Sequence, residues 1–388
     1  MTDLPPPPAA ALALGEQLAE RIRDEVLSAG GALPFSRYME LCLYSPGLGY
    51  YSAGLQKFGA AGDFVTAPEI SPLFGYCLAQ SCAQVLQECG GGDLLEIGAG
   101  SGRMAVDLLT GLEQLDRLPE RYLILERSAD LRERQQALLS EELPRHAATV
   151  AWLDDLPTGF RGVVLANEVL DAMPVERFRW DGEQVGRLCV QHTDGRFGWS
   201  ECTATSPELS AAVQSHSEAY RLAPGYVSEV NLMLPAWLQG VSTALEQGML
   251  LLADYGYPRH EYYHPQRDEG TLMCHYRHHT HADPFLWPGL QDITAHVDFT
   301  AVAEAALSAG LDVAGYTTQA AFLLDCGLEQ LLQAVGEPGS ATHLKAVQQV
   351  KTLIMPGEMG ERFKFIALTK GLDDALPGFR MQDMRERL

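Results

Sequence analysis

Apolar positions along this chain switch between two spacings, and each switch marks the edge of an element. Over residues 14–29 they recur at helical intervals, and Gly30-Gly31 supplies the reversal that ends a helix. Residues 34–71 are rich in Gly, Pro and Tyr, including Pro46-Gly47, Gly49-Tyr50-Tyr51 and Gly62-Asp63-Phe64. This is loop chemistry in a stretch too apolar to be a linker. A second helix is predicted over 72–88, and Gly90-Gly91-Gly92 leads into a short apolar run at 94–97. From there strands at 94–97, 122–126, 150–152 and 163–166 alternate with helices at 103–111 and 129–139. That alternation predicts an α/β fold whose mainly parallel sheet is covered on both faces.

Past Pro174 the pattern becomes alternating segments around Asp181-Gly182 and Asp194-Gly195, two hairpin-turn signals that predict a β-rich insertion. A helix at 235–247 and a strand at 249–253 resume the α/β order, a second excursion runs to residue 293, and a helix follows at 299–309. Two last strands, 311–316 and 363–369, flank a helical segment and are expected to form an antiparallel edge pair. The expected organisation is an N-terminal helical and loop region (1–92), a first part of the core (93–173), the β-rich insertion (174–235) and the rest of the core (236–388). This last part carries an inserted loop at 257–293 and a helical segment at 320–355. No internal repeat is visible.

Composition narrows the function classes. The 388 residues carry 28 Lys plus Arg against 51 Asp plus Glu, a net charge of −23, with 46% apolar and 20% charged residues. That is enough apolar material for a buried core. A negative field opposes a phosphate backbone, so no nucleic-acid partner is expected. No apolar run approaches the roughly 18 to 20 residues that cross a bilayer, so no membrane span is expected. The eight cysteines contain no C-x-x-C pair, which spells out neither a zinc knuckle nor a disulfide framework and fits a reducing cytoplasm. The first residues, with Asp3, four consecutive prolines from Pro5 and then Glu16 and Glu20, match neither a secretory signal nor an acid-poor transit peptide. A cytoplasmic protein is expected.

The run Asp93-Leu94-Leu95-Glu96-Ile97-Gly98-Ala99-Gly100-Ser101-Gly102-Arg103 sets three glycines between a buried strand and a helix. Such a turn lets a ligand approach the backbone and offers amide donors at a helix start. The next strand ends in Glu126, whose carboxylate can accept both hydroxyls of a ribose. The spacing is G-x-G-x-G, with Arg103 where a dinucleotide fingerprint has its third glycine. Glu96, two residues before the first glycine, would face a diphosphate poorly but suits an α-amino group. These residues favour S-adenosylmethionine (SAM) over NAD(P), which stays open beside a purely structural turn.

Further stretches read together with that turn: Gly62-Asp63-Phe64-Val65-Thr66-Ala67-Pro68-Glu69-Ile70-Ser71, Asn167-Glu168-Val169-Leu170-Asp171-Ala172-Met173-Pro174, Asp254-Tyr255-Gly256, and Pro288-Gly289-Leu290-Gln291-Asp292-Ile293-Thr294-Ala295-His296-Val297-Asp298-Phe299. In this order, spanning residues 34–369, the set resembles the MidA-like family of class I SAM-dependent methyltransferases. Its mitochondrial members are protein arginine methyltransferases needed for respiratory complex I assembly. The resemblance implies a Rossmann-like methyltransferase core with accessory elements, SAM as methyl donor, and N-methylation of an arginine on a protein partner. By motif, Glu96, Gly98, Gly100 and Gly102 line the methionine part of SAM, Glu126 holds the ribose, and Asp154 is a candidate for the adenine amine. No transit peptide of the mitochondrial kind is recognisable, so a bacterial-type cytoplasmic member is expected.

Methyl transfer from a sulfonium is an in-line displacement, and the protein must position an acceptor nitrogen and exclude water. A guanidinium is a poor nucleophile, so carboxylates that localise its charge on one nitrogen help. The candidates are Glu69, Glu168 and Asp171, with the alternatives of a first-turn helix carboxylate for Glu69, a solvated Glu168 and a helix cap for Asp171. Asn167 is expected to contact SAM or the acceptor. His296 is a candidate proton acceptor, with Asp298 beside it as either a second one or a helix cap. Tyr50, Tyr51 and Phe64 are candidates for an aromatic wall around a cationic acceptor, or for plain packing. The group Cys274, His275, His278, His279 and His281 has metal-ligand residue types, yet transfer to nitrogen needs no metal and none is expected. The acidic surface suits a basic, arginine-bearing partner. Two alternatives stand beside the arginine methyltransferase: a non-catalytic SAM-binding assembly factor and an NAD(P)-dependent oxidoreductase. The oligomeric state stays open, a homodimer included.

Overall fold

Strands that are apolar along their whole length must be covered on both faces, and here they gather into one sheet. The computed structural model describes residues 4–53, 65–202, 205–373 and 375–388. Gly62, Asp63 and Phe64, the last of which is the third residue of the expected aromatic wall, lie outside them. Two compact units divide the chain. The sheet unit comprises Val65–Val169, Pro235–Gly256 and Phe299–Leu388; the accessory unit comprises Met1–Phe64, Leu170–Leu234 and Tyr257–Asp298.

The strands on the main path of the sheet are β1 (Asp93–Ile97), β2 (Tyr122–Leu125), β3 (Val150–Leu153), β4 (Phe160–Asn167), β5 (Leu245–Tyr257), β6 (Asp312–Thr318) and β7 (Phe363–Lys370). They lie in the order β6-β7-β5-β4-β1-β2-β3. The pairs from β5 to β3 are parallel, while β7 runs antiparallel to both of its neighbours. The expected antiparallel edge pair is present: β6 stands at the edge and β7 lies between it and β5. Phe365, Ile366, Ala367 and Leu368 of β7 are all fully buried, as suits the inner strand of that pair. The strand order turns back between β1 and β4, whose ends pair as Ile97 with Ala166. Open α/β sheets bind ligands at the carboxyl ends of the strands flanking such a point.

Helices α1 (Ala67–Ile70), α2 (Pro72–Glu88), α3 (Arg103–Gln114) and α4 (Ala129–Glu142) belong to the same unit. The expected N-terminal region 1–92 thus divides at residue 65. Its second part packs into the sheet unit because Phe74, Cys77, Leu78 and Val85 share one core with Leu94 and Leu108. Two glycines make that packing close: a Cβ at Gly75 would stand 2.6 Å from Asp107 Cβ, and one at Gly111 would stand 2.8 Å from Ala79 Cβ.

The accessory unit carries the β-rich insertion. Strands Val185–Thr193 and Arg196–Glu201 pair from Thr193 with Arg196. The link is Asp194-Gly195, both at positive φ (51° and 75°), the two-residue turn that the right-handed twist of a hairpin favours. At the other turn the Asp181 carboxylate accepts the backbone N–H groups of Glu183 (2.8 Å) and Gln184 (2.7 Å). This hairpin also brings Cys189 and Cys202 together as a disulfide, with Cα atoms 5.6 Å apart. A disulfide was not expected, because two cysteines 13 residues apart meet only once the register of the strands is known. The other six cysteines are free and buried. Titration of the denatured, unreduced protein with a thiol reagent is expected to find six thiols, rising to eight after reduction; eight without reductant would contradict the bond. Among the described residues no helix is long and apolar enough to cross a membrane.

Candidate active site

The glycine turn closes directly on the end of β1. Gly98, Gly100 and Gly102 have φ values of 70°, 53° and 85°, the left-handed region that L side chains rarely enter. Arg103, in the place of a third fingerprint glycine, turns away into an ion pair with Glu142 (2.7 Å) and a contact with Asp107 (3.1 Å). Ser101 donates its hydroxyl to the carboxylate of Glu69, which α1 carries. Glu69 is thus brought to the glycine turn within the sheet unit.

At the end of β2 the buried Glu126 accepts the backbone N–H of Ser128 (2.9 Å) and the amide of Gln135 (3.3 Å). Burial raises its pKa above the ordinary carboxylate value, and these hydrogen bonds oppose the rise. Asp154, past β3, is largely exposed and ion-paired with Arg132 at 2.7 Å. At the end of β4, the amide of Asn167 donates to Glu168 at 3.2 Å. The backbone of Glu168 is left-handed (φ 53°) and its N–H donates to the Ala253 carbonyl at 2.9 Å. A non-glycine residue held there stores strain, and such strain concentrates at functional sites.

The remaining candidates belong to the accessory unit. Asp171 is buried within a turn that no helix follows, so a helix cap is not its role. Its backbone carbonyl accepts the N–H of Ala295 at 3.0 Å. Tyr51 directs its hydroxyl to both oxygens of the buried Asp292, at 3.1 Å each, and stacks on Tyr44. Burial, then the charge of Asp292, with further contributions from Tyr44 and Asp171, pushes the Tyr51 phenol well above its usual pKa. Tyr50 packs edge-on against Tyr51. His296 stacks flat on Tyr257, with ring centres 5.3 Å apart. Asp298 pairs with Arg259 at 2.9 Å. Cys274 faces His281, and His275 faces Thr280, across a short hairpin. Among the described residues no group of three or more His, Cys, Asp or Glu is placed to hold a metal.

A family described as "Putative S-adenosyl-L-methionine-dependent methyltransferase" matches residues 77–317. The chain belongs to this family. The protein arginine methyltransferase NDUFAF7 homolog of Drosophila melanogaster, a mitochondrial protein, is 30% identical, over 92% of this chain and 85% of that one. Its Mus musculus counterpart is 29% identical, over 88% of this chain and 82% of that one. Among solved structures, a superfamily member from Burkholderia thailandensis with S-adenosyl-homocysteine (SAH) bound is 46% identical. It covers the whole of both chains with a TM-score of 0.95.

The methyl donor of this methyltransferase is SAM rather than a nicotinamide cofactor. Its residues fit that molecule: a turn of positive-φ glycines leaves room for a ligand against the backbone, and two buried carboxylates, Glu96 and Glu126, flank it in sequence. Glu96 takes the Tyr122 hydroxyl at 2.5 Å. Burial raises its pKa to about 7, opposed by the Tyr122 hydrogen bond and assisted by the charge of Glu126. The sign of the stability effect follows. The folded methyltransferase keeps this proton up to about pH 7, whereas the unfolded chain releases it near the ordinary value of 4.5. The contribution is therefore fully present below that value and is lost as pH rises through about 7. Glu96→Gln is expected to flatten this dependence by on the order of 3 kcal/mol. Urea unfolding of the ligand-free protein at pH 5 and pH 8 measures it, and an unchanged slope in the variant would contradict the assignment.

Sequence reasoning missed three side chains here: Ser101, which ties Glu69 to the turn; Gln135, which ties Glu126 to it; and Asp292, the partner of Tyr51. For Gln135 a signal existed. It occupies the buried stripe of α4 between Leu131 and Leu139, where an amide is out of pattern.

Proposed function

We propose that this methyltransferase modifies a guanidinium nitrogen of an arginine on a protein partner. The observation that carries this reading is the pair of buried carboxylates Asp171 and Asp292 beside the half-buried hydroxyl of Tyr51, which is chemistry suited to a planar cation. Relatives named protein arginine methyltransferases support it. When bound, SAM supplies an electrophilic methyl group on a sulfonium sulfur. In this reading Glu96 and the turn of Gly98, Gly100 and Gly102 hold its methionine part, Glu126 its ribose hydroxyls and Asp154 its adenine amine. Asn167 steadies Glu168 through the hydrogen bond that its amide donates to the carboxylate. Glu168 and Glu69 of the sheet unit draw the positive charge of the guanidinium toward two of its nitrogens and leave the third to react. The nitrogen that gains the methyl gives up a proton. The six free cysteines favour a cytoplasmic location and the Cys189–Cys202 disulfide counts against it, while the net charge of −23 steers a basic partner.

The test is incubation with methyl-labelled SAM and a lysate from cells lacking this protein, followed by hydrolysis of the labelled proteins. Label in methylarginine is expected. Label in another residue would replace the acceptor, and SAH binding without any protein labelling would leave a SAM-binding assembly role instead.

A further inference from the structure

We propose that Gln135 is a positioning residue that locks Glu126 to the glycine turn, so that the ribose side and the methionine side of the SAM site form one preassembled clamp. The inference rests on the reading that Glu126 and the turn hold SAM.

Gln135 is fully buried on α4. A buried amide costs free energy unless it is paired, and this one bonds in three directions. Its nitrogen donates to the Gly100 carbonyl at 2.9 Å and to Glu126 Oε2 at 3.3 Å. Its oxygen accepts the indole N–H of Trp152 at 2.8 Å. The orientation of the amide is dictated by its partners: an indole can only donate, while a carbonyl and a carboxylate can only accept. Gly102 permits the approach, since a Cβ there would stand 3.2 Å from Gln135 Cγ. With Ser128 holding Oε1 and Gln135 holding Oε2, the Glu126 carboxylate cannot rotate freely, and its remaining lone pairs keep a set direction. The carbonyl of the middle glycine is fixed by the same amide. A single neutral side chain therefore sets the relation between the two ends of the cofactor site without adding charge beside Glu126.

Two variants separate this role from packing. Gln135→Leu removes every polar bond at similar size. Gln135→Glu keeps the shape but loses both donors and adds a like charge. Calorimetry measures affinity for SAH and for its 2′-deoxyribose analogue, with KM for SAM and kcat measured alongside. The wild type is expected to prefer SAH. In both variants the preference should shrink by about tenfold and KM should rise, with kcat changing less than about threefold. Glu126→Gln alone should lose the same discrimination, and adding Gln135→Leu to it should cost no further preference. An equal loss of affinity for both nucleosides, or additive losses in the double variant, would overturn the proposal. Should the Gln135 variants fail to fold, Trp152→Phe decides: it spares both donor bonds, so preserved discrimination is expected and its loss contradicts the proposal. A wild type that binds neither compound would refute the reading of the site itself, a different result from any of these.

Discussion

Gly100→Val is expected to abolish SAM binding while the fold survives. Gly100 sits at φ 53°, where a β-branched side chain is a conformational outlier. Moving the residue out of that region would displace the carbonyl that Gln135 holds. Keeping it there costs about 1–2 kcal/mol and places two methyl groups where the ligand must meet the backbone. Affinity for SAH should fall more than about a hundredfold, with a loss of stability no larger than about 2 kcal/mol. Calorimetry with SAH and thermal unfolding of the ligand-free protein measure the two effects separately. Near-normal SAH affinity in a folded variant would mean that the turn is only a connection.

Glu168→Gln is expected to reduce methyl transfer by on the order of a thousandfold, with SAH affinity within about threefold of wild type. The carboxylate is the feature removed; the left-handed backbone and the N–H bond to Ala253 are kept. Glu168→Gly separates strain from chemistry. Glycine accepts φ 53° without penalty, so this variant should be equally inactive yet within about 1 kcal/mol of wild-type stability or above it. A stable, inactive glycine variant means that the strain is tolerated for the sake of the carboxylate. An active glutamine variant would remove Glu168 from the acceptor site.

The core of the sheet was legible because its strands are apolar throughout and its first turn has its own glycine signature. The hairpins were legible for a similar reason, since Asp194-Gly195 states its backbone conformation in the residue types and Asp181 supplies the carboxylate that holds the other turn. Strand order was not. The buried run Phe365–Leu368 reads alike at the edge or in the interior, and only its pairing with both β5 and β6 decides. The placement of α2 was hidden too, because the small residues Gly75 and Gly111 signify close packing only when their neighbours are known. The candidate carboxylates were found by motif and Gln135 had its signal in the buried stripe of α4, whereas the pairing of Asp292 with Tyr51 emerges only from a distance between segments remote in sequence. Cys189 and Cys202 lie only 13 residues apart, and it is the register of their hairpin that brings them together.

The most direct measurement counts products in one reaction: SAH released against methylarginine formed, with wild type, Gly100→Val and Glu168→Gln side by side on the labelled partner fraction. The account requires one methylarginine per SAH with wild type, neither product with Gly100→Val, and loss of both despite retained SAH binding with Glu168→Gln. SAH released without methylarginine, or methylarginine formed at wild-type rate by Glu168→Gln, would contradict it.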